Sequence, residues 1–123
     1  CLWYLSQSAN FARILAGRLG AVDKFGVTRI VLKDMRTRWG TCCHRRKIVT
    51  LNWRLILAPE EIYEYVFMHE LAHLKVAGHG RGYWNYVESL LPGALEKRYW
   101  LNRNGHPLMS FLPGRRISPE RVL

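Results

Sequence analysis

The stretch from Ile62 to Val76 constrains the fold most, because its residues are apolar nearly all the way around a helix. Pro59, Glu60 and Glu61 precede it. A proline in the first helical turn followed by carboxylates is typical of a helix N-terminus. A helix that is apolar on every side belongs in the protein interior. The sequence therefore predicts a buried helix that ends at about residue 76.

Three polar side chains, His69, Glu70 and His73, interrupt this apolar helix. His69 and His73 are four residues apart, so they project from the same helix face. Burying such groups without partners costs about 1 to 3 kcal/mol or more, so the site must contain something that binds them. Two imidazoles one turn apart can share a divalent ion about 2.0 to 2.1 Å from each nitrogen. Residues 69–73 therefore read as HExxH, a metal-binding motif of metallopeptidases.

His79 is the expected third metal ligand, because Gly78 before it lets the chain leave the helix and fold back. His106 is the alternative. We expect zinc, because neutral imidazoles suit this ion. Three protein ligands leave a fourth position for water, from which Glu70 takes a proton as general base. The competing interpretation is that the histidines are satisfied in the core and Glu70 forms a structural salt bridge.

Four further residues are candidates for contacts with a substrate. Asn52, Arg81 and Tyr83 are possible donors to the charge that develops on the substrate oxygen, although Tyr83 also suits a core position. Arg38 is the fourth candidate, with a structural role between hairpin and helix as the alternative. These four complete the set of predicted site residues.

The rest of the chain predicts an α+β domain over residues 1–105 and an extended C-terminal tail over residues 106–123. Periodicity of 3.6 residues predicts helices on both sides of the central one, and alternation predicts strands between them. The predicted helices are 3–19, 83–91 and 94–102, and the predicted strands are 28–33, 39–43 and 48–53. The last two strands flank a short polar connection and are expected to form a hairpin.

The sequence resembles the YgjP-like metal-dependent hydrolases, which are related to the WLM and SprT-like zinc metallopeptidases. The matching text is R-W-G-T-C from Arg38, I-V-T-L-N from Ile48, Y-V-F-M-H-E-L-A-H-L from Tyr65, and the pair Gly78-His79. The likeness covers about residues 5–104. It implies a minimal zincin-like fold, in which a small antiparallel sheet packs on the HExxH helix beside additional helices, and a β-rich region upstream of Cys1.

The same resemblance implies one zinc ion held by His69, His73 and His79, with Glu70 as the catalytic base. We expect a zinc metallopeptidase that acts on a peptide or protein, which could add as a strand along the free edge of the hairpin. The first alternative is a metal-dependent nucleoside triphosphate pyrophosphatase, which the net charge of +10 favours.

The second alternative is a nucleic-acid-associated binding module with structural zinc. Its support is a basic hairpin with interleaved tryptophans, a mixture that can grip phosphates and stack bases. A solvated hairpin edge with core tryptophans explains the same residues. They are Arg36, Arg38, Trp39, Arg45, Arg46, Lys47 and Trp53.

Composition bounds the class of protein. With 123 residues, of which 49% are hydrophobic and 23% charged, the chain has the make-up of one small globular domain. No run of eighteen apolar residues and no secretory leader is visible, which predicts no membrane partner. Three cysteines, two of them adjacent, predict a reducing compartment, the cytoplasm. The first residue is not Met, so we expect a fragment.

Overall fold

The computed structural model describes residues 2–114 and 116–123 of the chain. The predicted α+β class is confirmed. A short 3-10 helix (Trp53–Leu57) precedes the central helix. The remaining elements are α1 (Leu2–Leu19), β1 (Arg29–Lys33), β2 (Gly40–Cys43), β3 (Ile48–Asn52), α2 (Glu60–His73), α3 (Arg81–Leu90), α4 (Ala94–Met109) and β4 (Glu120–Arg121). None of the helices in these described ranges combines the length and hydropathy needed to cross a bilayer.

The four strands form one sheet in the order β2-β3-β1-β4. The hairpin of β2 and β3 is antiparallel, as is the pair of β1 and β4, but β1 and β3 are parallel. The sheet is therefore mixed, and the expectation of an antiparallel sheet was wrong in this detail. The reason is that β2 doubles back outside β3, which brings β3 beside β1 in the same direction and leaves β2 at the edge.

The hairpin turn is built without glycine. Lys47 adopts the left-handed conformation, with φ of 58°, at the last position before β3. Thr28 stabilises this turn, because its hydroxyl donates to the carbonyls of Arg46 at 2.7 Å and Lys47 at 3.2 Å, and its backbone N–H donates to Lys47 at 2.9 Å. These contacts offset the strain of a non-glycine residue in this region.

Helix α2 is the buried helix that the apolar stretch predicts. Phe67 and Leu71 are fully buried, and the helix packs against β2, β3, α3 and α4. Near its start, the Tyr63 hydroxyl donates to the Ser8 carbonyl of α1 at 3.0 Å. The regular helix ends at His73, and turns continue to Val76 before Gly78 takes a φ of 75°. That glycine reverses the chain and brings the next residues back towards the helix.

The C-terminal segment differs from its predicted extended form. Helix α4 continues through the predicted boundary at residue 105 and ends at Met109. Gly105 does not end the helix, because it is buried against Trp39, where an added Cβ would lie 3.2 Å from the indole ring. Beyond the helix, Phe111 packs edge-on against Trp53, and β4 adds to the sheet beside β1. Residues 106–109 thus complete a helix, Phe111 packs on the core, and residues 120–121 form an edge strand, while the part of the predicted extended tail at residue 115 lies outside the described residues.

Candidate metal centre

Three imidazoles converge at the C-terminal end of α2. His69 and His73 lie on successive turns of the helix, and His79 returns to them from the loop that follows Gly78. The Nε2 atom of His79 lies 3.0 Å from Nε2 of His73 and 3.4 Å from Nε2 of His69. Among the described residues these three side chains form a group able to hold a metal ion, with their ligand atoms within 4.8 Å of one another.

The spacing of the three nitrogens fits a zinc ion. Tetrahedral bonds of about 2.0 to 2.1 Å place neighbouring ligand nitrogens roughly 3.3 Å apart. The outer nitrogen of His73, Nδ1, lies 3.3 Å from the carbonyl of Val76, which only accepts hydrogen bonds. Nδ1 therefore carries the proton, and Nε2 presents its lone pair inward. The Nδ1 atom of His69 contacts the Tyr65 hydroxyl at 3.3 Å.

Burial keeps the two helix imidazoles in the neutral form that a metal requires. Burial, together with the neighbouring His73 and His79, lowers the pKa of His69 to about 4. Burial also lowers the pKa of His73. Both rings therefore remain unprotonated at neutral pH, with their lone pairs free to bind a cation.

Tyr83 holds the triad in place from α3. Its ring stacks on His73, with centroids 4.2 Å apart and planes at 20°, and its hydroxyl donates to the carbonyl of His69 at 2.8 Å. Burial raises the pKa of the hydroxyl, which therefore stays a donor. Because this hydroxyl is buried and already bonded, the structure gives Tyr83 a positioning role in place of the predicted donation to substrate.

Glu70 lies beside the triad, between α2 and β2. Its side chain is so close to Gly40 that a Cβ there would lie 3.0 Å from Glu70 Cγ and 3.2 Å from Oε2. Burial raises the pKa of Glu70 to about 7, and the charge of Arg38 opposes that shift. A carboxyl group that titrates near neutrality can both accept and release a proton there.

A cleft of about 260 Å³ opens beside His69 and Glu70, between β2 and α4. Its walls are apolar where Trp39 and Leu101 line it and positively charged where Arg38 and Arg98 line it. A second cleft of about 300 Å³ opens on the other side of Glu70, where Cys42 and His44 line it. The buried carboxyl group therefore separates two adjoining spaces.

The contribution of α4 to the first cleft was missing from the sequence-based prediction. Arg98, Leu101 and Asn102 line it, and Gly105 follows on the same face of the helix. The signal was present as the spacing i, i+3, i+4 and i+7, which places three side chains and a glycine on one stripe. Spacing alone does not say which partner that stripe meets.

The other predicted site residues have different surroundings. Arg38 is exposed and lines the first cleft, as its predicted role requires. Arg81 is exposed in the first turn of α3 and lines neither cleft. His106 lies exposed on α4 and is not part of the triad. Trp53 is fully buried, so it is not available to stack on a base.

Asn52 uses its side chain inside the fold. Its amide donates to the carbonyls of Met35 at 2.7 Å and Arg38 at 2.9 Å, and its oxygen accepts from the backbone of Arg54 at 3.1 Å. These bonds hold the loop that leads into β2. Asn52 therefore anchors the loop that carries Arg38, and we leave it out of the set of substrate contacts.

An α+β fold with a histidine triad and a carboxyl group in a cleft defines the class of metal-dependent peptidases. Residues 3–104 match the family model for the YgjP-like metallopeptidase domain, so the chain belongs to that family. The resemblance noted in the sequence is thereby confirmed. None of the curated proteins matches the chain significantly.

A solved structure has the same fold. The crystal structure of the metallopeptidase zymogen of Pyrococcus abyssi abylysin superposes with a TM-score of 0.58. The two sequences are 22% identical, and the match covers 82% of this chain and 95% of that chain. At this identity the likeness establishes the shared zincin-like fold.

Proposed function

We propose that this protein is a zinc-dependent peptidase in which His69, His73 and His79 hold one zinc ion and Glu70 is the general base. The observation that carries the proposal is the convergence of three Nε2 atoms beside the buried carboxyl group of Glu70. The lowered pKa values of His69 and His73 support a metal with nitrogen ligands.

Zinc bound to this triad would polarise a peptide carbonyl and make a water molecule more acidic. Glu70 would accept a proton from that water while the water oxygen forms a bond to the carbonyl carbon. The same carboxyl group then delivers the proton to the leaving amine as the C–N bond breaks. A pKa of about 7 suits both transfers, because the group is neither permanently charged nor permanently protonated.

The position of β2 supports an extended peptide as the substrate. This strand pairs with β3 on one side and forms the edge of the sheet on the other. A peptide that adds along a free edge is held by backbone hydrogen bonds, and this part of its binding does not depend on its side chains. Because Glu70 lies so near Gly40 of β2 that a Cβ at Gly40 would come within 3.2 Å of Glu70 Oε2, such a peptide would lie beside the general base.

A nucleoside triphosphate pyrophosphatase remains the second candidate, since Arg38 and Arg98 beside the same base favour an anionic substrate. The nucleic-acid-binding module has less support, because Trp53, one of the two tryptophans expected to stack on bases, is buried.

We also propose the cytoplasm as the location, because Cys42 and Cys43 are free thiols that a reducing compartment maintains.

A parallel assay tests the peptidase proposal. Zinc-loaded protein is incubated with an unfolded polypeptide and, separately, with nucleoside triphosphates, and the products are identified by mass spectrometry. We expect peptide fragments with the wild type and none with the Glu70→Gln variant, which serves as the matched control. Release of pyrophosphate without any peptide fragment would refute the proposal in favour of the second candidate.

A further inference from the structure

We propose that the cleft between β2 and α4 is a subsite for a carboxylate group of the peptide substrate, bound by Arg38 and Arg98. This inference rests on the proposed peptidase function and adds its specificity. The cleft adjoins His69 and Glu70, so the group that fills it belongs to a residue close to the bond that is cleaved.

Both arginines lack an acidic partner within the described ranges. The ion pairs found there join Arg18 to Glu64, and join Arg36 and Arg54 to Asp34. The acidic side chain that lines the cleft is Glu70, the proposed base. The positive charge of the two guanidinium groups is therefore available to a ligand.

The structure also orients the side chain of Arg98 and anchors the backbone of Arg38. The guanidinium of Arg98 lies 4.7 Å above the ring of Trp84, and that ring lies 5.9 Å from His69. Stacking on an aromatic face orients a guanidinium group and leaves its N–H donors free at the edges. Arg38 belongs to the loop before β2, and the side-chain amide of Asn52 anchors this loop by donating to the Arg38 carbonyl.

The lining matches the chemistry of an acidic residue. The apolar side chains of Trp39 and Leu101 can cover an aliphatic stem, and the arginines can bind the carboxylate at its end. The same chemistry is available from an acidic side chain or from a peptide's terminal carboxylate, and the experiment separates these two sources.

The test uses peptides that differ at one residue beside the cleaved bond, with Glu, Gln or Lys at that position and the C-terminus amidated. A fourth peptide has Gln there and a free C-terminus. For charge-assisted hydrogen bonds we expect kcat/KM for the Glu peptide to exceed that for the Gln peptide by about tenfold. Preference for the fourth peptide over its amidated form instead identifies the terminal carboxylate as the bound group and also supports the proposal.

Variants of Arg98 test whether this side chain binds the carboxylate of the peptide. Arg98→Gln should reduce the preference for the carboxylate, and Arg98→Glu should reverse it in favour of the Lys peptide. Arg103→Gln is the matched control, because Arg103 is an exposed arginine on the same helix that does not line the cleft. An unchanged preference in both Arg98 variants would overturn the proposal.

A binding measurement supplies a readout that does not need turnover. Fluorescence anisotropy of labelled peptides with the Glu70→Gln protein should show tighter binding of the carboxylate peptide, and the difference should shrink at high salt.

Equal cleavage and equal binding of all peptides would overturn this inference but leave the peptidase function intact. If no peptide is cleaved at all, the proposed function itself fails. Displacement of the bound peptide by a nucleoside triphosphate at much lower concentration than by the Glu peptide would also overturn the subsite.

Discussion

Two clusters of polar side chains in this small fold differ in how their members pair with one another. In the first cluster, Arg54 is fully buried and donates to Asp34, to the carbonyl of Met35 and to the carbonyl of Phe111. Asn52 adds to this cluster by accepting from the backbone of Arg54. The Nε and Nη1 donors of Arg54 therefore meet acceptors and its charge meets that of Asp34, while its buried Nη2 atom has no hydrogen-bond partner among the described residues.

The second cluster, His69, His73 and His79, has no such complement. Its three Nε2 atoms converge, with those of His73 and His69 at 3.0 and 3.4 Å from that of His79, and the pKa values of His69 and His73 are lowered, so these two rings are neutral and can offer lone pairs to a shared cation. The first cluster is thus matched mostly by acceptors of the chain itself, whereas in the second like nitrogen atoms converge, which favours a bound cation. We therefore assign the first cluster to the stability of the fold and propose the second as a binding site.

The largest effect is expected at the proposed base. Glu70→Gln should lower kcat by about 10²- to 10⁴-fold, the usual contribution of a positioned proton-transfer group, because an amide cannot accept the proton. Zinc content measured by elemental analysis should be unchanged. Full activity of this variant would show that Glu70 has only a structural role, so that the contrast between the Arg54 cluster and a catalytic histidine site would no longer hold.

The complementary cluster should respond in stability and not in metal binding. Arg54→Met removes the ion pair with Asp34 and leaves the carbonyls of Met35 and Phe111 without this donor, which should lower the free energy of unfolding by about 1 to 3 kcal/mol or more in a urea titration. Arg18→Ala removes the exposed pair with Glu64 and should cost about 0 to 1 kcal/mol. Equal losses in the two variants would contradict the structural role of Arg54.

The third ligand offers a sharper separation of the two clusters. His79→Ala should weaken zinc binding by about 100-fold or more, because loss of even an outer hydrogen bond to a ligand costs roughly 10- to 100-fold. His79 is exposed, so the zinc-free variant should unfold at nearly the wild-type urea concentration. His106→Ala is the control, and calorimetric titration should give it wild-type affinity. Equal affinity for zinc in both variants would remove His79 from the site.

The smallest effect is expected at Tyr83, which joins the fold to the triad. Tyr83→Phe keeps the ring on His73 but removes the hydrogen bond to the His69 carbonyl, which should cost about 1 kcal/mol of unfolding free energy. Tyr86→Phe is the matched control on the same helix, because that hydroxyl makes no hydrogen bond within the described ranges. Identical urea midpoints for the two variants would contradict the positioning role.

The sequence predicted the triad well because its geometry is local. His69 and His73 are related by one helical turn, and His79 follows after a glycine that reverses the chain. Eleven consecutive residues thus carry the ligands, and neither distant strand pairing nor helix packing had to be known to bring them near each other. The buried apolar helix was predictable for the same reason.

The surroundings of the triad depend on tertiary contacts and were harder to predict. The parallel pairing of β1 and β3 follows from where the hairpin docks, which strand periodicity does not encode. From sequence Asn52 is a candidate donor to substrate, but its side-chain amide donates to the carbonyls of Met35 and Arg38, which are distant in the sequence. Arg98 lines the cleft because α4 packs beside Trp39, with Gly105 at the close approach, a contact that helix periodicity does not encode.

X-ray absorption at the zinc edge of the wild-type protein, loaded with one equivalent of zinc, tests the central claim most directly. The account predicts three imidazole nitrogens at about 2.0 to 2.1 Å and one further oxygen ligand. A spectrum with fewer than three imidazoles, or with sulfur from Cys42 in the coordination shell, would contradict it.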